Sequence, residues 1–273
     1  MIKMNVRKKV ILSGMVLLMA SSSFAQHSLE KLWQTDTLTL KNPESVLFDP
    51  VSNSLYVSSM SSGAVAHYTP DGKLLDKNWV TGLSANKGSA IFNGIFYTAE
   101  NTTVAVVDMK TRTIIKHIPV PGAKKLNDLA VDSKGFVYVS DSPGAKVFKI
   151  DGDSVSLYLE NMPGANGLLC IGTDLYVITS TRLDKVNSNK EITKIADGFE
   201  SGLDGIVMIA DNEFIISNYK GILYDIKPDG TSYVILDTRA THINSNDIGY
   251  DDKSKILYVP SFGTNCFFAY RLK

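Results

Sequence analysis

The stretch from Lys125 to Ser142, KLNDLAVDSKGFVYVSDS, decides the fold because its pattern recurs along the chain. A polar pair, Asn127 and Asp128, is followed by two apolar alternating runs on either side of a turn at Gly135. Successive side chains of a β-strand point to opposite faces of the sheet. The stretch therefore predicts a hairpin with one buried face and polar groups at its open end.

Five other segments resemble this hairpin, and its second strand is their clearest common marker. Copies of that strand begin 39 to 43 residues apart, at Leu55, Ile95, Phe136, Leu175, Phe214 and Leu257. A repeat of about forty residues built from short strands is typical of a β-propeller blade. The connections are too short for the crossover helices of a parallel β/α array. The sequence therefore predicts an all-β fold, a six-bladed β-propeller.

The sixth repeat ends with the segment from Phe267 to Leu272 and lacks an outer strand. A strand-like segment, Leu32 to Leu40, precedes the first repeat and has no other place in the pattern. A blade made from both ends of the chain closes the ring and removes exposed sheet edges. We therefore expect Leu32 to Leu40 to complete the last blade, in a single propeller domain over residues 26–273.

The first 25 residues have the pattern of a secretory signal peptide. Four basic residues between Lys3 and Lys9 precede an apolar run from Val10 to Ala20, and Ser23 and Ala25 supply the small residues of a cleavage site. The run is shorter than the roughly 18 residues that a membrane span needs. We therefore expect cleavage after Ala25, no stable membrane span, and a periplasmic or secreted protein.

The net charge and the cysteine content bear on the possible partners and on disulfide formation. Without the leader the chain has 24 basic and 28 acidic residues, a net charge near −4, so we expect no nucleic-acid partner. The two cysteines, Cys170 and Cys266, lie in apolar runs of different repeats, which favours buried thiols over a disulfide. A closed ring has no free edge that needs a partner, so we expect a monomer.

The residues just before the first strand of each repeat should converge on one opening of the central channel. All six repeats place polar residues there: Glu44, Lys87, Asn127 with Asp128, Asn166, Asp204, and Asn246 with Asp247. Asn and Asp also cap turns, and this alternative applies to Asn166 and Asp204, which each precede glycine. It does not explain Glu44, because Glu is not a turn former.

Glu44, Asn166 and Asp204 together offer hard oxygen ligands with two negative charges. This set suits a divalent metal cation, Ca²⁺ first, with Zn²⁺, Mg²⁺ and Mn²⁺ as alternatives. A zinc site rich in histidine is not expected, because His242 is the only internal histidine of the mature chain near a channel mouth.

From Asn42 to Tyr270 the chain resembles the SMP-30/gluconolactonase/LRE-like proteins, six-bladed propellers that include regucalcin and sugar lactonases. The resemblance rests on four short motifs in order: Pro43-Glu44, Lys125-Leu126-Asn127-Asp128, Asn166-Gly167 and Leu203-Asp204-Gly205. It implies that Glu44, Asn166 and Asp204 bind one divalent metal ion, that Asp204 is the catalytic proton acceptor, and that Lys125 and Asn127 contact the substrate. The implied reaction is hydrolysis of a lactone whose carbonyl the metal polarises.

The chain departs from this family at several positions. Glu44 is followed by Ser and Val, where family lactonases usually have Gly-Pro. Lys125 stands where Arg is commoner. This difference matters because Lys cannot hold two oxygens in one plane as Arg does. Lys87 is a further departure, expected to line the substrate pocket with Asp128 and Asp247 and to receive an anionic group. The alternative for Lys87 is a solvated lysine whose stem packs on the blade.

Two classes of function fit these residues. The first is an exported metal-dependent hydrolase of the lactonase or esterase type, acting on a small-molecule substrate that is anionic or sugar-derived. The second is a non-catalytic exported propeller that binds a sugar, a peptide or cell-wall material at the same mouth. Propellers host both, and the three predicted metal ligands favour the hydrolase. A strictosidine-synthase-like or paraoxonase-like propeller is a more distant alternative.

Overall fold

A computed structural model describes Met1 and residues 26–273. The predicted leader and its cleavage site after Ala25 therefore lie outside the described residues. In the part of the chain that is described, no helix is long and apolar enough to cross a membrane. Cys170 and Cys266 are both unpaired thiols, in different blades.

The described residues form 24 strands, arranged as six four-stranded antiparallel sheets. The first strand and blades 1 to 3 comprise β1 (Leu29–Gln34), β2 (Pro43–Asp49), β3 (Ser54–Ser59), β4 (Ala64–Tyr68), β5 (Leu74–Thr81), β6 (Ser89–Phe92), β7 (Ile95–Ala99), β8 (Thr103–Asp108), β9 (Thr113–Pro119), β10 (Leu126–Val131), β11 (Val137–Asp141), β12 (Lys146–Asp151) and β13 (Ser154–Glu160). Blades 4 to 6 comprise β14 (Leu168–Ile171), β15 (Asp174–Ile178), β16 (Arg182–Val186), β17 (Ile192–Asp197), β18 (Leu203–Ala210), β19 (Glu213–Asn218), β20 (Ile222–Ile226), β21 (Ser232–Asp237), β22 (Gly249–Asp251), β23 (Ile256–Ser261) and β24 (Cys266–Leu272). The predicted six-bladed propeller is confirmed.

Blade 6 takes its outer strand from the start of the chain, which confirms the predicted closure. β1 pairs with β24 in antiparallel register, with Leu29 opposite Leu272. The predicted bounds of this strand were wrong, because it ends at Gln34 and does not extend to Leu40. Oδ1 of Asp36 accepts hydrogen bonds of 2.8 Å from the backbone N–H groups of Leu38 and Thr39, and this local turn leads the chain out of the sheet.

The hydrophobic core lies largely between neighbouring blades. In one such layer Val57 and Tyr68 of blade 1 pack with Tyr258 and Phe267 of blade 6. The ring of Trp33, on β1, lies 5.5 Å from that of Phe267 in an edge-to-face arrangement. The terminal strand is therefore held by side-chain packing as well as by its hydrogen bonds to β24.

At Gly88 and Gly205, which follow the mouth residues Lys87 and Asp204, the neighbouring blade leaves no room for a Cβ atom. A Cβ atom on Gly88 would lie 1.9 Å from Oδ1 of Asp128, and one on Gly205 would lie 2.5 Å from Oδ1 of Asp247. An aspartate of the next blade therefore occupies the space that a side chain at the glycine position would need, so only glycine fits there. Asp204 and Gly205 belong to β18, so the turn-cap alternative does not apply there.

Candidate functional site

A pocket of about 430 Å³ lies at one end of the central channel. Six of the eight predicted site residues line it: Glu44, Lys87, Lys125, Asn127, Asn166 and Asp204. We call this pocket, together with Met60, Ser142, Tyr219, Asn246 and Phe262, the mouth pocket. Asp128 and Asp247 do not line it, and instead line a second cavity of about 270 Å³ within the channel. Their predicted contact with substrate stays a prediction.

Glu44 stands on β2 with only 7% of its surface exposed. No described residue forms a hydrogen bond with its Oε2, although that atom is fully buried. Burial, followed by the nearby carboxylates of Asp204 and Asp247, raises the pKa of Glu44 well above its usual value. A buried carboxylate oxygen without a partner is costly, so this atom is suited to a ligand that the protein itself does not supply.

Asp204 stands on β18 and is held from two sides by amides. Its Oδ1 accepts a hydrogen bond of 2.9 Å from Nδ2 of Asn166, and its Oδ2 accepts one of 3.1 Å from Nδ2 of Asn246. Burial and the charge of Asp247 raise the pKa of Asp204 to about 8, against the opposing effect of the two amide hydrogen bonds. The carboxylate is thus fixed in orientation and poised to exchange a proton near neutral pH.

Asn166, like Glu44, has a side-chain oxygen without a hydrogen-bond partner among the described residues. Its Nδ2 also donates to the carbonyl oxygen of Leu203, at 3.1 Å, so both of its amide hydrogens have acceptors. No described residue donates a hydrogen bond to its Oδ1. Glu44, Asn166 and Asp204 therefore present carboxylate and amide oxygens to one pocket, and this donor set fits a hard divalent cation.

Lys87 is buried in the wall of the pocket, with 3% of its surface exposed, so it is not a solvated rim residue. Its Nζ donates a hydrogen bond of 2.7 Å to the carbonyl oxygen of Leu126. Burial lowers the pKa of Lys87, although the carboxylate of Glu44 opposes that effect. An ammonium group has three N–H donors, so two remain for a ligand.

Lys125 directly precedes β10 and Asn127 is the second residue of that strand, in the blade that follows the blade of Lys87. Lys125 is exposed at the rim. Nδ2 of Asn127 donates a hydrogen bond of 3.2 Å to Oγ of Ser142, which in turn donates one of 2.6 Å to the carbonyl oxygen of Ala165. Asn127 is thus oriented through a hydroxyl that reaches the next blade.

The sequence argument missed several residues of the mouth pocket. Met60, Tyr219 and Phe262 come from the turns after the second strands of blades 1, 5 and 6, and nothing in their local pattern marks them as pocket residues. Asn246 was recognised at a mouth but not placed in the site. The pairing of Asn with Asp at 246–247, which repeats that at 127–128, was the signal that could have identified it.

A second polar cluster lies at the opposite end of blade 5. His27 Nδ1 and carboxylate oxygens of Glu213 and Asp225 lie within 4.8 Å of one another, a group that could hold a metal ion. The Nζ of Lys227 lies among them, 2.5 Å from Glu213 Oε1 and 2.9 Å from Asp225 Oδ2. The buried ammonium therefore already supplies a positive charge to this cluster.

No protein-family model matches the chain, and no curated protein matches its sequence. Solved structures do resemble it. A gluconolactonase from Xanthomonas campestris superposes with a TM-score of 0.70 at 15% identity, over 86% of this chain and 87% of that one. A luciferin-regenerating enzyme has a TM-score of 0.67 at 14% identity, over 91% of this chain and 95% of that one. A streptogramin B lyase has a TM-score of 0.67 at 9% identity, over 90% and 98% of the two chains.

At such low identity these likenesses establish the shared fold alone. Their names cover more than one kind of reaction, so the fold does not select a function. The function of this chain has to be argued from the residues of its own pocket.

Proposed function

We propose that the protein is an exported metal-dependent hydrolase that opens a lactone or related ester in the mouth pocket. The observation that carries the proposal is the buried Oε2 of Glu44, which has no hydrogen-bond partner among the described residues and shares the pocket with Asn166 and Asp204. Export is proposed from the charged and apolar pattern of residues 1–25. The likeness of the fold to a gluconolactonase is consistent with this chemistry.

Glu44, Asn166 and Asp204 would hold the divalent cation, Ca²⁺ first, because all three offer hard oxygen atoms and two of them are carboxylates. When bound, the cation supplies Lewis-acid polarisation of the ester carbonyl. Asp204, whose pKa is about 8 in the metal-free protein, would be held in its ionised form beside a bound cation.

Asp204 acts as the proton acceptor. The oxygen of a water molecule attacks the carbonyl carbon while the Asp204 carboxylate takes its proton. The bond between the carbonyl carbon and the ring oxygen then breaks, and the leaving oxygen recovers the proton, so that the product is a hydroxy acid. Hydrogen bonds from Asn166 and Asn246 keep the carboxylate oxygens in place throughout.

Lys125 and Asn127 orient the substrate at the rim. Lys125 is exposed and cationic there, and Asn127 is fixed by Ser142, while no described residue donates a hydrogen bond to its Oδ1. Both residues reach the pocket from blade 3, whereas Glu44 and Asp204 come from blades 1 and 5.

The experiment is a hydrolysis screen of the mature protein on aldonolactones and aryl esters, with Ca²⁺ and with chelator. We expect turnover that requires the cation and falls by about a hundredfold or more in Asp204→Asn, because a positioned base contributes at least that much. Glu44→Gln should lose metal affinity as well as activity. Glu100→Gln is the matched control, a buried carboxylate outside the pocket that bonds Thr103 and His117.

Calorimetry on the same variants measures metal binding independently of turnover, so it distinguishes a hydrolase from a propeller that only binds. Binding without any turnover would overturn the hydrolase and favour a non-catalytic propeller that takes its ligand at this mouth. Turnover that persists in chelator, or that survives in Asp204→Asn, would overturn the assigned mechanism.

A further inference from the structure

The mouth pocket has two chemically different sides. Lys87 and Lys125, from blades 2 and 3, supply its cations. Met60, Tyr219 and Phe262, from blades 1, 5 and 6, supply its large apolar groups. In a ring of six blades, blade 5 lies opposite blade 2 and blade 6 opposite blade 3. Tyr219 therefore faces Lys87 across the pocket, and Phe262 faces Lys125.

Backbone hydrogen bonds hold the apolar side in place. The N–H of Phe262 donates to Oδ1 of Asn246 at 3.1 Å, and the N–H of Tyr219 donates to the carbonyl oxygen of Gly202 at 2.8 Å. Nδ2 of Asn244 donates to the carbonyl oxygen of Tyr219 at 3.0 Å. A ligand that packs against these side chains therefore meets turns that are already ordered.

This apolar side remains available for contact. Tyr219 is 48% exposed, while Met60 and Phe262 are half-buried. Aromatic rings bury a large area at a small entropic cost, so they are effective anchors for an apolar group. A polyhydroxylated sugar would leave any hydroxyl groups that meet Met60 and Phe262 without a side-chain hydrogen bond from those two residues.

The cationic side favours an anion. Lys87 has two N–H donors left after its bond to Leu126, and its burial makes an ion pair there stronger than in water. Lys125 adds an exposed charge at the rim, where it attracts the ligand during approach.

We propose that the ligand of the mouth pocket is an amphipathic anion, with a carboxylate or similar group at one end and an apolar, preferably aromatic, group at the other. The substrate class is accordingly an aromatic or alkyl lactone or ester that carries an acidic group. The inference rests on the proposed function for the reacting bond, but the binding preference itself needs no turnover.

Four probes test the preference by calorimetry, with Ca²⁺ and with chelator. 4-Phenylbutyrate has both groups, butyrate has only the anion, 4-phenylbutan-1-ol has only the ring, and gluconate is a sugar acid. We expect 4-phenylbutyrate to bind at least about tenfold more tightly than each of the other three probes. The carboxylate contact and the ring contact are each worth about a factor of ten in affinity. Gluconate binding as tightly as 4-phenylbutyrate, or no binding of 4-phenylbutyrate, would overturn the proposal.

Variants assign the two ends. Lys87→Met and Lys125→Met should each weaken 4-phenylbutyrate about tenfold and leave 4-phenylbutan-1-ol unchanged. Tyr219→Ser should weaken both ring-bearing probes and leave butyrate unchanged. Lys116→Met and Tyr233→Ser are matched controls on outer strands, and neither should change any affinity. Because Lys125 is exposed, Lys125→Met keeps the test valid if Lys87→Met fails to fold.

The test of the ligand class can succeed or fail independently of the test of the proposed hydrolysis. The expected pattern of affinities without turnover would refute the proposed reaction and support this ligand class. Turnover of aldonolactones with no preference for the aromatic anion would support the reaction and refute the ligand class.

Discussion

Nδ2 of Asn246 donates a hydrogen bond of 3.1 Å to Oδ2 of Asp204, across the boundary between blades 6 and 5. The Oδ1 of the same amide accepts a hydrogen bond from the backbone N–H of Phe262. One side chain therefore connects the carboxylate of the proposed metal site to the apolar side of the mouth pocket. This link makes Asn246 a positioning residue for both.

Asn246→Ala should weaken metal binding about tenfold, because groups that orient a ligand carboxylate typically contribute a factor of that size or more. Asn187→Ala, in an exposed turn of blade 4, is the control and should bind the metal as the wild type does. Titration calorimetry with Ca²⁺ measures the affinities. Equal affinities for Asn246→Ala and the wild type would show that the amide does not orient Asp204 for the cation.

Asp247→Asn should change the pH dependence of stability in the presence of chelator. Burial raises the pKa of Asp247 to about 7, so the folded state favours the protonated form. The stability that this proton provides is fully present below the unfolded pKa, near 4, and is lost as the pH rises through about 7. The displacement of the pKa from 3.8 to about 7 corresponds to about 4 kcal/mol at most.

Urea unfolding from pH 4 to 9 measures this effect. The unfolding free energy of Asp247→Asn, relative to that of the wild type, should increase up to about pH 7 and then level off. Asp211→Asn, an exposed aspartate, serves as the control, and its difference from the wild type should stay nearly constant. A flat difference for Asp247→Asn as well would contradict a raised pKa in the channel.

Gly88→Ala should destabilise the ring by about 3 kcal/mol, because overpacking at this contact forces neighbouring backbones apart. Its Cβ would meet Oδ1 of Asp128 at 1.9 Å and the Cα of Asp128 at 2.7 Å. Gly94→Ala is the control: its φ of +78° is strained for alanine, but among the described residues only its own chain neighbours would lie within 4 Å of the added Cβ. Its cost should be about 1 to 2 kcal/mol. Thermal unfolding compares the two, and equal losses would mean that the close approach is relaxed at little cost.

Lys227→Met should make the stability of the protein depend on a metal ion bound at the cluster of His27, Glu213 and Asp225, at the opposite end of blade 5. The change leaves the carboxylates of Glu213 and Asp225 without their ammonium partner, which costs about 3 to 5 kcal/mol for a buried pair. Zn²⁺ should restore much of that stability through these carboxylates and His27. The melting temperature with and without Zn²⁺ is the measurement.

Lys220→Met is the control for that experiment, because its ion pair with Glu200 is half-exposed and contributes less than about 1 kcal/mol. Neither that variant nor the wild type should respond to Zn²⁺ at this cluster. A Lys227→Met protein that is as stable as the wild type in chelator would indicate that the ammonium does not balance the two carboxylates.

The sequence by itself determined the architecture. Alternating apolar strands at a forty-residue period have few ways to bury their faces, and a sixth repeat without an outer strand requires closure from the other terminus. The position of Glu44 at the start of the first inner strand likewise placed it at the channel. The bounds of β1 escaped the sequence argument because the local turn at Asp36 overrides the alternating pattern of Leu38 and Leu40.

Only the tertiary structure decided which polar residues face a ligand. Asp128 follows Asn127 directly, yet a strand sends neighbouring side chains to different surroundings, so Asn127 reaches the mouth pocket while Asp128 accepts backbone N–H groups within the channel. Tyr219 and Phe262 line the same pocket although they come from different blades. No local pattern encodes that shared position, because it depends on how the ring brings distant turns to one rim.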